Sequence, residues 1–242
     1  MSVDVVEKMK TQDYTQPKYL RYYFYELLGV PTAEYEEMVQ TKSNMLKKIW
    51  LDSGCKDFSV YQHKDYIWDM AKCYKTRSRP TIQSMIRLID MERVDSVLDY
   101  YNGIGLSTIY LKTLFPNKEI AYFNDVKAQV KFMEDYNKRY RIGAQVESME
   151  KKKYDVVLLS EVFEHYENPE AFFIEKIEQR VGKYLVHSSP FTDVNIGHFS
   201  VYNGVASKAY TRKFHHFLES RGFEFVADGF NAIPKIYKNT KI

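Results

Sequence analysis

Two stretches of this 242-residue chain combine residue types and spacings that can do chemistry. The first is Glu161-Val-Phe-Glu164-His165. On a helical turn, Glu161, Glu164 and His165 converge on one side. His198 follows the next apolar segment, so its loop should open on the same rim. Two carboxylates and two imidazoles (Glu161, Glu164, His165 and His198) make a donor set for a divalent cation such as Mg, Mn or Zn. The same side chains can move protons, with His165 or His198 as general base and Glu164 beside them. An unperturbed imidazole titrates near pH ~6.5. The competing expectation is structural: a histidine here braces its loop by hydrogen bonds and binds no metal.

The second stretch is Asp99-Tyr-Tyr-Asn-Gly-Ile-Gly105, a short apolar strand running into a glycine loop. Glycines let the backbone approach a ligand closely and take torsions that other residues resist. Asp125 stands about 20 positions after Gly105, the separation of a ribose-binding acid from such a loop. Two ligands compete for this arrangement. A dinucleotide loop needs a third glycine where this chain has Thr108. An adenosyl cofactor has no such requirement.

These groups need a scaffold, and the sequence divides into two patterns. Residues 1–92 read as helices and loops. Lys18 to Leu28 ends at Gly29, and Pro31-Thr32 opens a second helix with Glu34, Glu36 and Glu37 in its first turn. Tyr35, Met38, Val39, Met45, Leu46, Ile49 and Trp50 recur at helical spacing. A third helix starts near Pro80, with Ile82, Met85, Ile86 and Ile89 on its buried face. One more helix is expected between Asp52 and Arg79. Residues 93–242 alternate strands and helices. Strands are expected at Ser96–Asp99, Ile120–Phe123, Asp155–Leu159 and Lys183–His187, with a closing pair at Phe223–Ala227 and Lys235–Tyr237. Helices are expected at Leu106–Leu114, Ala128–Tyr140, Pro169–Arg180 and Ser207–Arg221. The continuous apolar run Asp155-Val-Val-Leu-Leu159 suits a strand buried on both faces. The pattern is α/β with a mainly parallel sheet.

The order of these motifs resembles the class I, Rossmann-like S-adenosylmethionine-dependent methyltransferases. Val97-Leu-Asp99-Tyr-Tyr-Asn-Gly103-Ile-Gly105 is similar to their first motif, and Asp125 to their ribose-binding acid. Lys153-Tyr-Asp155-Val-Val-Leu-Leu-Ser160-Glu161-Val-Phe-Glu164-His165 is similar to their fourth-strand motif. Ser188-Ser-Pro190, His198 and Arg221-Gly222-Phe223 resemble their C-terminal part. The resemblance runs from about residue 80 to the C-terminus. It departs at Tyr101, where the family usually has glycine, so a side chain there would crowd or stack against the cofactor.

The resemblance implies a seven-stranded, mainly parallel sheet with flanking helices. It makes residues 93–242 the cofactor-binding domain and 1–92 a helical lid that shapes the substrate pocket. Asp99, Tyr101, Asn102, Gly103 and Gly105 would hold the amino acid part of S-adenosylmethionine. Asp125 would hold the ribose, Val126 and Ser148 would border the adenine, and Ser160 and Glu161 would lie below the sulfonium. The Glu-x-x-Glu-His run with a later histidine also resembles two metal-using branches, the ubiquinone-biosynthesis O-methyltransferases and the small-RNA 3′-terminal ribose methyltransferases.

Composition sets the remaining bounds. Hydrophobic residues make up 45% and charged residues 28%, ordinary for a globular chain. Net charge is +3, with Lys and Arg interleaved among Asp and Glu. That gives no polyanion-binding signature, and Lys151-Lys152-Lys153 reads as a solvated turn. Cys55 and Cys73 lack zinc spacing. No apolar run approaches the ~18 residues of a membrane span, and the N-terminus does not resemble a signal peptide, so a cytoplasmic location is expected. Ser160-Glu161-Val-Phe is unlike the tetrapeptide of DNA amino-methylating enzymes. A small-molecule acceptor is therefore the leading expectation. An RNA- or nucleotide-directed enzyme with a divalent metal and a non-catalytic partner protein of the same fold are the alternatives. Tyr19, Tyr22, Tyr23, Trp50 and Trp68 are candidate pocket rings. His187 is expected to be a hydrogen-bonded core residue, and His215-His216 to serve surface or packing roles.

Overall fold

The computed structural model describes residues 15–146, 153–191, 195–229 and 234–241. Helix α1 (Pro17–Leu28) begins with proline in its first turn, where the missing N–H is no loss. A short 3-10 turn at Thr32–Glu34 leads into α2 (Tyr35–Asp52), which buries Tyr35, Val39, Leu46 and Trp50. A second 3-10 turn covers Phe58–Gln62. The helix expected between Asp52 and Arg79 is α3 (Tyr66–Cys73). It runs through a π turn at Tyr74–Ser78 into α4 (Arg79–Leu88). Such one-turn π insertions rotate the side chains that follow and recur at functional sites.

The α/β part contains β1 (Ser96–Tyr100), α5 (Leu106–Leu114), β2 (Glu119–Phe123), α6 (Lys127–Tyr140), β3 (Gln145–Val146) and β4 (Tyr154–Ser160). Next come α7 (Pro169–Phe172), which continues as irregular helix to Arg180, and β5 (Val181–Ser188). A small hairpin, β6 (Val201–Tyr202) and β7 (Val205–Ala206), precedes α8 (Ser207–Ser220), β8 (Phe223–Asp228) and β9 (Lys235–Asn239).

Seven strands form one sheet in the order β3-β2-β1-β4-β5-β9-β8. The neighbours from β3 to β5 are parallel, and β9 runs antiparallel to both β5 and β8. The edge strand β3 has two residues, so six strands carry nearly all of the pairing. The seven-stranded, mainly parallel sheet matches the expectation.

Side chains alternate between the two faces. Val97, Val156 and Leu158 join Phe24, Trp68, Ile82 and Ile109 in one apolar cluster, which draws on both the helical part and the sheet. Leu98, Tyr100, Val157 and Leu159 join Phe173 and Phe214 on the other face. A parallel sheet buried on both sides needs apolar residues at successive positions, which is why β4 reads as a continuous run. The chain reverses direction across the sheet between β1 and β4. In an open α/β sheet that switch point opens a crevice at the strands' C-terminal ends. No described helix is long and apolar enough to cross a membrane.

Candidate active site

A cavity of about 320 Å³ lies at that switch point. Its size is at the lower end for small-molecule sites, which run to ~300–1,000 Å³. The loop after β1, the rim after β2 and the loop after β4 form one side. The helical segment supplies the other through Phe58, Tyr61, Tyr66, Asp69, Met70 and Tyr74.

The glycine loop is held by hydrogen bonds before any ligand is considered. The Tyr122 hydroxyl and the Asn124 amide both donate to the Gly103 carbonyl, at 2.6 and 3.0 Å. Asn124 also donates to Gln129 Oε1 at 2.6 Å and accepts from the Val126 N–H at 2.8 Å. Asn102 donates to Ser107 Oγ at 2.6 Å and accepts from Ser78 Oγ at 3.0 Å. Ser78 is the last residue of the π turn, so the turn docks the helical part directly onto the loop. Gly103 has φ 54°, and a Cβ there would come within 2.7 Å of Met70 Sδ. The left-handed torsion favours glycine there, and a side chain would also have to push Met70 aside.

Of the residues assigned to the cofactor from sequence, Tyr101, Asn102, Gly103, Asp125, Val126, Ser160 and Glu161 line the cavity. Asp99 and Gly105 do not. Asp99 is fully buried beneath the loop, where Thr108 Oγ1 donates to its Oδ2 at 2.6 Å. Burial drives its carboxyl up to about 7, against the opposing bonds from Thr108 and Asn102. The Thr108 that stands where a third glycine would be is its hydrogen-bond partner. Gly105 caps the start of α5. Ser148 lies outside the described residues.

The strand ends carry unusual backbone. Tyr101 directly follows β1 with φ 56°, and Glu161 directly follows β4 with φ 58°. Left-handed torsions cost a non-glycine residue about 1 kcal/mol or more and concentrate at functional sites. Behind Glu161, Ser160 Oγ reaches both Ser78 Oγ at 3.1 Å and Ser188 Oγ at 3.0 Å.

The loop after β4 brings the second set together. Glu164, His165 and His198 place one donor atom each within 4.8 Å of one another, while Glu161 is not part of that group. The four-residue set expected from sequence is therefore a set of three. The 3-10 turn Phe163–His165 turns Glu164 inward, and Glu161 sits before that turn on the cavity wall. Glu164 is 0% exposed, and neither carboxylate oxygen makes a well-formed hydrogen bond, although the Ser189 hydroxyl lies near enough to favour its charge. Burial, reinforced by the Glu161 charge, raises its carboxyl well above the ordinary range. His165 and His198 have ring centroids 5.0 Å apart. Burial and the neighbouring His198 push the His165 imidazole down to about 3.

His165 also has a partner from the helical part, since the Tyr61 hydroxyl lies 2.8 Å from its Nδ1. A Cβ on Gly197, at φ 76°, would collide with both Tyr61 and His165. Gly197 is thus the gap through which that pair meets.

The cavity rings are not those expected. Tyr23, Trp50 and Trp68 are buried core residues, Tyr22 is exposed and Tyr19 packs on Tyr140. Phe58, Tyr61, Tyr66 and Tyr74 take that place, joined by Tyr166 from the loop after β4. The aromatic-dense run from Phe58 to Tyr66 was the available signal. His187 is in the core but not hydrogen-bonded. Neither ring nitrogen has a partner, and the ring stacks on Tyr237 at 5.7 Å.

No family model and no curated protein matches the chain in sequence. Solved structures share its fold. PigF with SAH superposes at a TM-score of 0.58 and 14% identity, covering 86% of this chain and 69% of that one. Mitomycin 7-O-methyltransferase MmcR gives 0.58 at 11% identity, covering 94% and 73%. Human N-acetylserotonin methyltransferase in complex with SAM gives 0.57 at 13% identity, covering 98% and 70%. The fold is that of the class I S-adenosylmethionine-dependent methyltransferases.

Proposed function

We propose that this chain is an S-adenosylmethionine-dependent methyltransferase acting on an oxygen or nitrogen of a small ring-bearing molecule. One observation carries this reading: a single cavity joins the glycine loop and Asp125 to the His165–His198 pair. The fold likeness to the three proteins named above, one a 7-O-methyltransferase and two others solved with SAH or SAM, supports it.

The residues present suit an adenosyl ligand. The Gly103 backbone is exposed to the cavity, the Asp125 carboxylate stands at the rim, and Val126 adjoins it. The cofactor supplies an electrophilic methyl group on a sulfonium. The protein's part is to align the acceptor, exclude water and take a proton. Alignment alone can supply several kcal/mol, up to ~7–11 in favourable cases. The helical segment acts as the lid, covering the strand ends with Phe58, Tyr61 and Tyr66. His165 is the general base. Its depressed basicity keeps it neutral with a lone pair to offer, so it takes the proton only as methyl transfer proceeds.

The cavity also bounds the acceptor. Asp69, Asp125 and Glu161 line it, and no Lys or Arg does among the described residues. In the acceptor, this charge favours neutral or amine-bearing rings over anionic ones. Binding of a nucleic acid would need cations beside the site. This favours the small-molecule acceptor over the RNA-directed alternative.

A second reading concerns a metal. The Glu164–His165–His198 donor set fits a divalent cation, and Glu164 brings two oxygens without a well-formed hydrogen bond. A cation held there would lower the pKa of an acceptor hydroxyl. A rise in melting temperature with added Zn or Mg, lost in Glu164→Gln, would support it; an unchanged melting curve would remove it.

The main reading is tested by calorimetry with S-adenosylhomocysteine. Binding is expected, weakened on the order of tenfold to a hundredfold in Asp125→Ala by loss of charge-assisted bonds to the ribose. Absence of heat from the folded wild-type chain would leave a non-catalytic protein of this fold as the better account.

A further inference from the structure

Asp125 is not a free carboxylate. The Tyr101 hydroxyl donates to its Oδ2 at 2.6 Å. The ring reaches it from a fixed position, edge-on to Tyr100 at 4.9 Å and to Phe123 at 5.3 Å. Its backbone holds the left-handed torsion that glycine would adopt without strain. A bulky residue keeps such a torsion only where its surroundings over-determine it. Here the ring packing and the bond to Asp125 do so together.

The chemistry of the carboxylate then matters. A ribose diol has two hydroxyls, and a carboxylate can accept one at each oxygen. With Oδ2 engaged by the phenol, a sugar hydroxyl must share that oxygen's remaining lone pair or displace the phenol. Asp125 is exposed at the rim, so the bond can be exchanged without opening the core.

Resting on the methyltransferase reading, we propose that Tyr101 is a displaceable latch on Asp125. Its phenol holds one of the two diol-binding positions and yields it to the sugar of an adenosyl ligand. Tyr101 thereby sets both affinity and selectivity for the intact ribose. It is a positioning and affinity-setting residue, not a catalytic one. The position where the family usually has glycine thus gains a competitor for the cofactor.

Tyr101→Phe removes the hydroxyl and keeps the ring. S-adenosylhomocysteine titrated by calorimetry should bind this variant about threefold to tenfold more tightly than wild type, the range of one modest hydrogen bond. Adenosine against 2′-deoxyadenosine provides a second measurement. Losing one sugar hydroxyl should weaken binding less in the wild type, where the phenol can reoccupy the vacated oxygen, than in Tyr101→Phe. Equal or weaker binding of S-adenosylhomocysteine by a folded Tyr101→Phe, with wild-type binding intact, overturns the latch alone. Equal sugar discrimination in the two proteins does the same. No heat from either protein overturns the latch together with the cofactor reading, so the two failures are told apart.

Discussion

The two sides of the cavity are built on opposite principles. On the glycine-loop side most of the polar side chains satisfy one another, Asp99 Oδ1 beneath the loop being the exception. Ser78, Asn102 and Ser107 form one set of bonds, and Asn124 and Gln129 form another around the Gly103 carbonyl. On the β4 side a buried carboxylate makes no well-formed hydrogen bond, and a nearby imidazole is driven far from its ordinary basicity. A satisfied network fixes a shape, which is what binding requires. An unsatisfied buried group is costly and persists where it has a task, which is what chemistry requires. The difference predicts that substitutions on the first side act on affinity and stability, and those on the second act on rate.

The largest expected effect lies on the β4 side. His165→Gln removes the proposed base and keeps a similar volume. The turnover rate should fall about 10²–10⁴-fold, with cofactor affinity nearly unchanged. The wild-type pH profile sharpens the point. Because burial holds His165 near 3, the rate should stay level from pH 8 down to about 5. A decline with an apparent pKa near 6.5 would show that the ring is solvated in the working enzyme. A loss of affinity equal to the loss of rate in His165→Gln would break the division between the two sides.

The architecture was legible in the sequence because its signals are local. The run from Val156 to Leu159, the glycine loop and the 3.6-residue stripe of α2 each report their own environment. The β6–β7 hairpin went unread although Asn203-Gly204 is the dipeptide that such two-residue turns favour. The site was half legible. Spacing placed Asp125, Gly103 and His165 on one rim. It could not show that Asp99 turns under the loop to Thr108, because strand alternation does not say which polar residue meets the ligand. Nor could it show that Tyr61 meets His165. That contact joins residues 104 positions apart and depends on Gly197 leaving room.

An intermediate effect is expected on the loop side, in stability. Asp99 titrates near 7 when folded and near 3.9 when unfolded. Between those values the folded chain holds the proton and the unfolded chain does not. Asp99 therefore removes stability as pH rises from about 4 to about 7, by up to ~4 kcal/mol. His165 and His187, both depressed to about 3, act in the opposite sense. They remove stability as pH falls below about 6.5. The difference between wild-type and Asp99→Asn stabilities, from urea melts at pH 4 to 8, cancels the histidine and Glu164 contributions and isolates that of Asp99. Asp99→Asn keeps an acceptor for Thr108, and its stability relative to wild type should rise as pH rises to about 7 and level off above. Identical slopes in the two proteins would show that Asp99 is not the group being titrated.

The smallest effect tests the contact that links the lid to the base. Tyr61→Phe removes the 2.8 Å bond to His165 Nδ1 and keeps the edge-on packing of the ring against Tyr66 at 5.1 Å. If Tyr61 orients the imidazole, the turnover rate should drop about fivefold to tenfold, the worth of one hydrogen bond of ~1–1.4 kcal/mol. Ser78→Ala is the counterpart change, removing a 3.0 Å bond to Asn102 and a 3.1 Å bond to Ser160 Oγ. It should weaken S-adenosylhomocysteine binding by a similar factor and leave turnover at saturation alone. The pair of variants is informative because both residues come from the helical part and both lose one hydroxyl. If the two changes act alike, on rate or on affinity, the two walls of the cavity are one cooperative unit. If they separate as expected, the lid grips each wall for a different purpose: it sets a base on one side and fixes a binding surface on the other.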